Sequence, residues 1–484
     1  MTSQTSAKAL LAALLATAAV ACGSANDPTS TATTDPAGNG SAAPAGQLAS
    51  ATVDAPAGAA SSASSPSSPA ASAASAGSAG SAGTGGTGTS GAGAGAGGTG
   101  GSGAGASAAD APPTAAGPVA EAPAAPVPDA PPSAERQVVA KLGLGNNFLV
   151  GLGADTAGVT DANQVAAYSL GQKLDIHYVY LAGLDWPSWS APAGNWVTMH
   201  ADAAKAHGVV PMFTLYQAAA DGENNLAAFA TDDFMTKYWT GVRTLFQKLG
   251  AFDAPAIVHV EPDLWGFAQQ HSEVPSGTPM KVGSLVPECV DLPSDVSGMA
   301  RCVIRLSRQL SPKVVIGLSA SAFGAYTNGF SDPTRIGNFL NAIGAGDGDI
   351  TVLETLDRDA GCFESGTDPN CQRSGSFYWD EANVAHPNFH DHLAYAKTLR
   401  TVVGKPLLWW QMPLGVPADA AGSSNHYRDN RVRYFFSHPG EFAAAGGIGA
   451  VFGPGAVRQT DTTTDGGQFK NAVAGYYAAP AALP

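Results

Sequence analysis

The segment Ile257-Val258-His259-Val260-Glu261-Pro262-Asp263-Leu264-Trp265 places two carboxyl groups two residues apart at the end of an apolar run. If the run is a strand, alternation puts Val258 and Val260 on one face and His259 and Glu261 on the other. Pro262 then ends the strand without leaving an unpaired N–H, and Asp263 follows at the rim. Carboxyls this close raise one another's pKa, which keeps a general acid protonated near neutral pH. The pair is expected to supply a general acid and the neighbour that tunes it. Other apolar runs end in Asp155, in Asp185 with Trp186 and Trp189, in Tyr216 with Gln217, in Ser319 with Ser321, in Glu354 with Asp357 and Asp359, and in Gln411 beside Trp409 and Trp410. Sugars present apolar CH faces and hydroxyl rims, which indoles and carboxylates or amides satisfy together. The chemistry implied is glycosidic bond hydrolysis. Asp155, Asp185, Trp186, Trp189, Tyr216, Gln217, Trp265, Trp410 and Gln411 are expected to bind the substrate. The loop indoles are expected to line the cleft with exposed faces.

Such residues converge only if the runs are neighbouring strands. Eight short apolar runs recur: Phe148 to Gly153, Ile176 to Ala182, Val209 to Tyr216, Ile257 to Glu261, Val314 to Ala320, Ile350 to Thr355, Pro406 to Met412 and Ile448 to Gly453. Helical patterns with apolar residues three and four apart lie between them, over Asp232 to Leu249, Met299 to Leu310, Thr334 to Ile343, Phe389 to Val403 and Asn430 to Ala445. This alternation predicts a (β/α)₈ TIM-type barrel over 136–484, with its site at the C-terminal ends of the strands. An open doubly wound sheet is the other reading, but Gly151-Leu152-Gly153-Ala154-Asp155 lacks the third glycine of a phosphate-binding turn.

The rest of the 484 residues belongs to no core. The 8 Trp, 12 Tyr and 18 Phe all fall after residue 135, and 23–135 is almost entirely Ala, Gly, Ser, Thr and Pro. Such a stretch buries too little apolar area to offset its ordering entropy and is expected to be a disordered linker, with an end-to-end distance of about 60 Å. Its charges are all acidic, and the whole chain carries a net charge of −15. Nucleic acid is therefore excluded as an expected partner. Lys8 precedes an apolar run from Ala9 to Ala21, the length of a signal-peptide core. Ala19-Val20-Ala21-Cys22 resembles a bacterial lipobox, which implies removal of 1–21, lipidation of Cys22 and a membrane-anchored, exported protein in the cell envelope. Four cysteines remain, in a compartment where disulfides persist. Of three possible pairings, Cys289 with Cys302 and Cys362 with Cys371 join partners close in sequence and flanked by loop residues.

Beside these readings stands a resemblance. Glu261-Pro262-Asp263 is similar to the fourth-strand triplet of the family 6 glycoside hydrolases, cellulases and cellobiohydrolases that invert the anomeric carbon. Cys362-Phe-Glu-Ser-Gly-Thr-Asp-Pro-Asn-Cys371 looks like that family's disulfide loop, and Trp410-Gln411-Met412-Pro413-Leu414-Gly415 resembles its Trp-x-x-Pro-x-Gly stretch. The resemblance implies that Asp263 is the catalytic acid of an inverting enzyme acting on a β-glucan or related polysaccharide. Where the family carries its base, this chain has Val416-Pro417-Ala418-Asp419. Asp357 at the end of the sixth run is therefore taken as the base, with Asp419 as the alternative. A retaining mechanism with Glu261 as acid/base would need a glutamate nucleophile where Gln411 stands. No cofactor or metal is expected: His386, His390 and His392 read as a solvated helix start, and Thr460 to Gly467 as a surface loop. The second functional reading is a non-catalytic glycan-binding lipoprotein on a decayed barrel.

Overall fold

The structure is a computed structural model, and it describes residues 131–484 except 157–158, 223, 328–329, 356–378, 415–430 and 454–460. Eight parallel strands close a barrel: β1 (Leu149–Gly153), β2 (Ile176–Ala182), β3 (Val210–Tyr216), β4 (Ala256–Val260), β5 (Val314–Ser319), β6 (Ile350–Leu353), β7 (Leu407–Met412) and β8 (Gly447–Phe452). Each pairs with its sequence neighbours, and β8 returns to β1 through Leu149 opposite Gly449. All eight lie within two residues of the runs read from the sequence, the largest difference being β6, which ends at Leu353 rather than Thr355. The helices are α1 (Ala134–Lys141), α2 (Ala166–Ser169), α3 (Asn195–Ala206), α4 (Asp232–Phe252), α5 (Leu264–His271), α6 (Val296–Leu310), α7 (Pro333–Ile343), α8 (Phe389–Val403), α9 (Arg431–Ser437), α10 (Pro439–Ala444) and α11 (Gln468–Ala478). The continuous pattern over Asn430 to Ala445 is in fact α9 and α10, broken at His438 because Pro439 has no N–H to continue the helix and opens the next one. No helix of the described residues is long and apolar enough to cross a membrane.

Helix placement follows from caps and stripes. Thr231 accepts from the Phe234 amide to start α4, whose buried Phe234, Met235, Tyr238, Trp239, Val242, Leu245, Phe246 and Leu249 recur at three and four residues. Asp295 accepts from the Ser297 and Gly298 amides to start α6. Cys302 on α6 is bridged to Cys289, as expected, with Cα atoms 5.7 Å apart. Cys22, Cys362 and Cys371 lie outside the described residues.

The folded chain begins slightly before residue 136. Ser133 caps α1, its hydroxyl donates to the Pro484 carbonyl, and Arg136 donates to the Leu483 carbonyl. Glu135 is buried and pairs with Arg400 at 2.8 Å. The two ends of the domain thus hold each other.

Alternation and register fix which side chains fill the barrel. Tyr178 and Tyr180 on β2, Thr214 and Tyr216 on β3, His259 on β4, Gly317 and Ser319 on β5, Val352 on β6 and Trp410 on β7 share the inner face. Space for the Tyr178 ring comes from glycine: a Cβ at Gly153 or at Gly453 would collide with it.

Candidate active site

At the C-terminal mouth the β4 segment does not continue straight. Glu261 has φ 50°, in the left-handed region that a residue with a side chain enters at a cost, and Ala154 after β1 and Gln411 on β7 share it, at 55° and 53°. Among the described residues, three of the five non-glycine residues with this backbone lie at the mouth, and strained positions cluster at functional sites.

The turn at Glu261 corrects its expected placement. Strict alternation would aim the side chain into the mouth with His259, but the positive φ swings it under the loop after β3. There the carboxylate accepts from the backbone amides of Gln217 at 3.0 Å and Ala218 at 3.1 Å, fully buried beside the Tyr238 ring of α4. Burial pushes its pKa up to about 8, against the pull of the two amides, and the charge of Asp263 is the smallest contribution. Glu261 is therefore a positioning residue for the β3 loop more than a tuner of Asp263. Because its ordinary value is 4.5, the folded chain keeps this proton over a range where the unfolded chain has lost it. The stability it contributes is full below about pH 4.5 and is lost as pH climbs through about 8. The melting temperature of the wild-type chain relative to Glu261→Gln is accordingly expected to fall between those limits in a calorimetric pH series. A difference independent of pH would show that Glu261 stays ionised throughout.

Asp263 sits where the sequence reading put it. Half-buried between β4 and α5, it occupies the N-cap position before Leu264, but its side chain makes no capping bond to the helix. Instead it accepts from the Tyr216 hydroxyl at 3.0 Å. Tyr216 immediately precedes the two amides that Glu261 holds, so Glu261, the β3 loop, Tyr216 and Asp263 form one connected arrangement. On the far side Ser321 donates to the Pro262 carbonyl at 2.6 Å and fixes the turn that carries Asp263.

The aromatic lining differs from expectation. Trp186 is fully buried against α4 and donates from Nε1 to the Gln217 side chain at 3.1 Å. Gln217 itself is buried and donates to the Tyr238 carbonyl. Trp265 is 1% exposed and donates to the Val260 carbonyl at 2.8 Å. None of these three presents a face to the mouth, because each satisfied its polar atom within the barrel wall. Asp155 is also structural: it accepts from His177 at 2.8 Å and from the Ala167 amide that opens α2, and those bonds hold its pKa low against burial. Asp185 is exposed, and Trp189 is half-buried against Trp196. Gln411 is buried at a register shift between β7 and β8.

The rings that do face inward are Tyr178, Tyr180, Tyr216 and Trp410. Tyr180 lies 5.8 Å from Trp410 and 6.4 Å from Tyr216, centroid to centroid, and His259 lies 4.6 Å from Trp410. Adjacent Trp409 faces outward, as alternation requires of the pair, and donates to His392 of α8 at 2.8 Å. Tyr178 and Tyr180 went unremarked in the sequence, although Ile176, Tyr178 and Tyr180 form one face of an inward strand. Beside the mouth, Leu184, Ala220, Asp221, Asn225, Phe234 and Lys237 line an open groove of about 520 Å³.

His392 is a core residue rather than part of a solvated helix start, while His386 pairs with Asp391 and His390 with Glu441. No group of three or more His, Cys, Asp or Glu among the described residues is placed to hold a metal ion. Asp465 is buried and caps α11 through the Phe469 amide. Asp357 and Asp419 lie outside the described residues.

Comparison with family models and with curated proteins finds no match. Among solved structures, the chain is similar to the family 26 glycoside hydrolase domain of a Prevotella bryantii endo-β-mannanase/endo-β-glucanase, with a TM-score of 0.41 and 11% identity over 70% of this chain and 93% of that one. A Thermotoga petrophila endo-1,4-β-D-mannanase gives a TM-score of 0.40 and 11% identity, over 68% and 99% of the two chains. A Clostridium cellulolyticum D-psicose 3-epimerase gives 0.36 and 13%, over 68% and 97%.

Proposed function

We propose that this chain is a glycoside hydrolase acting on a polysaccharide, of β-glucan or related type, with Asp263 as general acid. The observation that carries this reading is the Tyr216–Asp263 pair: a half-buried carboxyl at the strand ends, excused from helix capping and held by a phenol, beside an inward group of aromatic rings. Asp263 would protonate the departing glycosidic oxygen, while Tyr180, Tyr216 and Trp410 offer ring faces to the sugar. A second carboxylate would activate water from the opposite side, with inversion; the sequence alone nominates Asp357. The test is incubation of the chain with a glycan panel that includes β-mannan and β-glucan, with released sugars analysed chromatographically. Absence of release across the panel, with oligosaccharide binding retained, would favour the glycan-binding alternative.

The Lys8 to Cys22 segment motivates the further proposal that the enzyme is anchored in the cell envelope by lipid on Cys22, with the residues between Cys22 and α1 as its spacer. Cys22→Ser is expected to move the protein from the membrane fraction to the soluble one with activity intact. Continued sedimentation with membranes would remove the anchor from Cys22.

A further inference from the structure

We infer that Glu354 is the second carboxylate of the site, the general base that takes the proton of the attacking water. The inference rests on the glycoside hydrolase reading above and names the group which that reading leaves to the sequence.

Register places Glu354 opposite the acid. His259 of β4 pairs with Gly317 of β5, and Gly317 pairs with Ile350 of β6. Ser319 pairs with Val352 one step higher. Continuing by two residues brings Ser321 level with Glu354, and although β4 turns out of register at Glu261, the Ser321 bond to the Pro262 carbonyl keeps the residue before Asp263 beside that level. Glu354 follows Ile350 and Val352 on the inner face and is half-buried. On its other side Leu353 pairs with Trp409, so Glu354 stands level with the inward Trp410.

The spacing suits the chemistry. Strands about 4.8 Å apart put the β4 and β6 backbones about 9 to 10 Å apart. Carboxyl groups directed inward from them leave a gap on the order of the 6.5 to 9.5 Å that admits a sugar carbon and a water between base and acid. Glu354 directly follows the last strand residue, Leu353, and Asp357 lies outside the described residues.

Independent of the carboxylates, the barrel interior below the mouth holds unsatisfied polar atoms. Nε2 of His259 and Nε1 of Trp410 are fully buried, face the barrel interior and have no hydrogen-bond partner among the described residues. Burial holds His259 neutral, with its pKa pushed down to about 3, so its ring can accept or donate through one nitrogen without carrying charge. Buried polar atoms left so are costly to keep.

In the step, water oxygen forms the new bond to the anomeric carbon as the bond to the glycosidic oxygen breaks. Glu354 takes the water proton, and Asp263 gives its proton to the leaving oxygen. One water is consumed, and proton exchange with solvent restores both groups.

The experiment uses the full chain and whichever panel glycan the wild type cleaves, comparing Glu354→Gln, Glu354→Ala, Asp357→Asn and Asp263→Asn, with melting curves for each. Glu354→Gln is expected to lower kcat by about 10³-fold with KM little changed and melting unaltered. Asp357→Asn decides between the two carboxylates: a loss of rate there with Glu354→Gln unimpaired overturns the inference. Sodium azide, an anionic nucleophile that needs no base, is expected to restore part of the turnover of Glu354→Ala, which a merely structural defect would not allow. NMR of the nascent product is expected to show the inverted anomer. Wild-type kcat in Glu354→Gln while Asp263→Asn is inactive overturns the inference and leaves the glycosidase reading standing. A retained anomer also overturns it, since Glu354 would not then be a base. Wild-type rates in both carboxyl variants overturn the reading itself.

Discussion

Replacing Asp263 by Asn is expected to lower glycan turnover by about 10²-fold or more while oligosaccharide binding survives. Asn keeps the size and can still accept from the Tyr216 hydroxyl through its amide oxygen, so the pair that orders the β4 turn persists in form. What it lacks is a proton to give. The distinction is visible because Asp263 makes no capping bond to α5, so its loss leaves the helix start as it was. Steady-state kinetics with a melting curve separate the outcomes. Unchanged turnover would remove Asp263 from the acid role. A fall in both rate and melting temperature would make the residue a structural support of the β4 turn.

The barrel was legible because its signals are local. Each run such as Val210 to Tyr216 is apolar on both faces, as a strand covered by helices outside and packed side chains inside must be, and each stripe such as that of α6 carries its period in the sequence. Asp263 was legible for the same reason: a carboxyl just past an apolar run and a proline has one place to go. Glu261 was misplaced because alternation assumes φ near −120°, and nothing in Val260-Glu261-Pro262 announces the left-handed turn that sends its side chain to the amides of Gln217 and Ala218. The loop tryptophans misled differently. Their polar neighbours suggested exposure, but whether an indole is buried depends on an acceptor reaching its N–H, and those acceptors, the Gln217 side chain for Trp186 and the Val260 carbonyl for Trp265, are fixed only by tertiary contact. Tyr178 and Tyr180 were within reach, since an inward strand leaves their rings nowhere but the barrel interior.

Trp186→Ala is expected to destabilise the fold by about 3 to 5 kcal/mol, the range for truncating a fully buried aromatic side chain, with little direct effect on glycan affinity in the protein that remains folded. The indole is completely covered, and its N–H holds the Gln217 side chain, whose own amide holds the Tyr238 carbonyl within α4. The packing is close enough that a Cβ at Gly241 would fall 3.0 Å from the indole nitrogen, so the helix cannot settle inward to fill the space without first meeting Gln217. Removing the ring therefore leaves both a cavity and an unpaired amide oxygen, and the two losses act in the same direction. Gln217 also follows Tyr216 directly and supplies one of the two amides that Glu261 holds, so part of the damage is expected to pass to the acid as a lower kcat. Chemical denaturation measures the first effect and isothermal titration with a cleaved oligosaccharide the second. A melting temperature that barely moves, together with affinity lost about tenfold or more, would mean that Trp186 leaves its pocket to stack on the sugar, and the inward rings of Tyr180 and Trp410 would no longer be sufficient to explain binding.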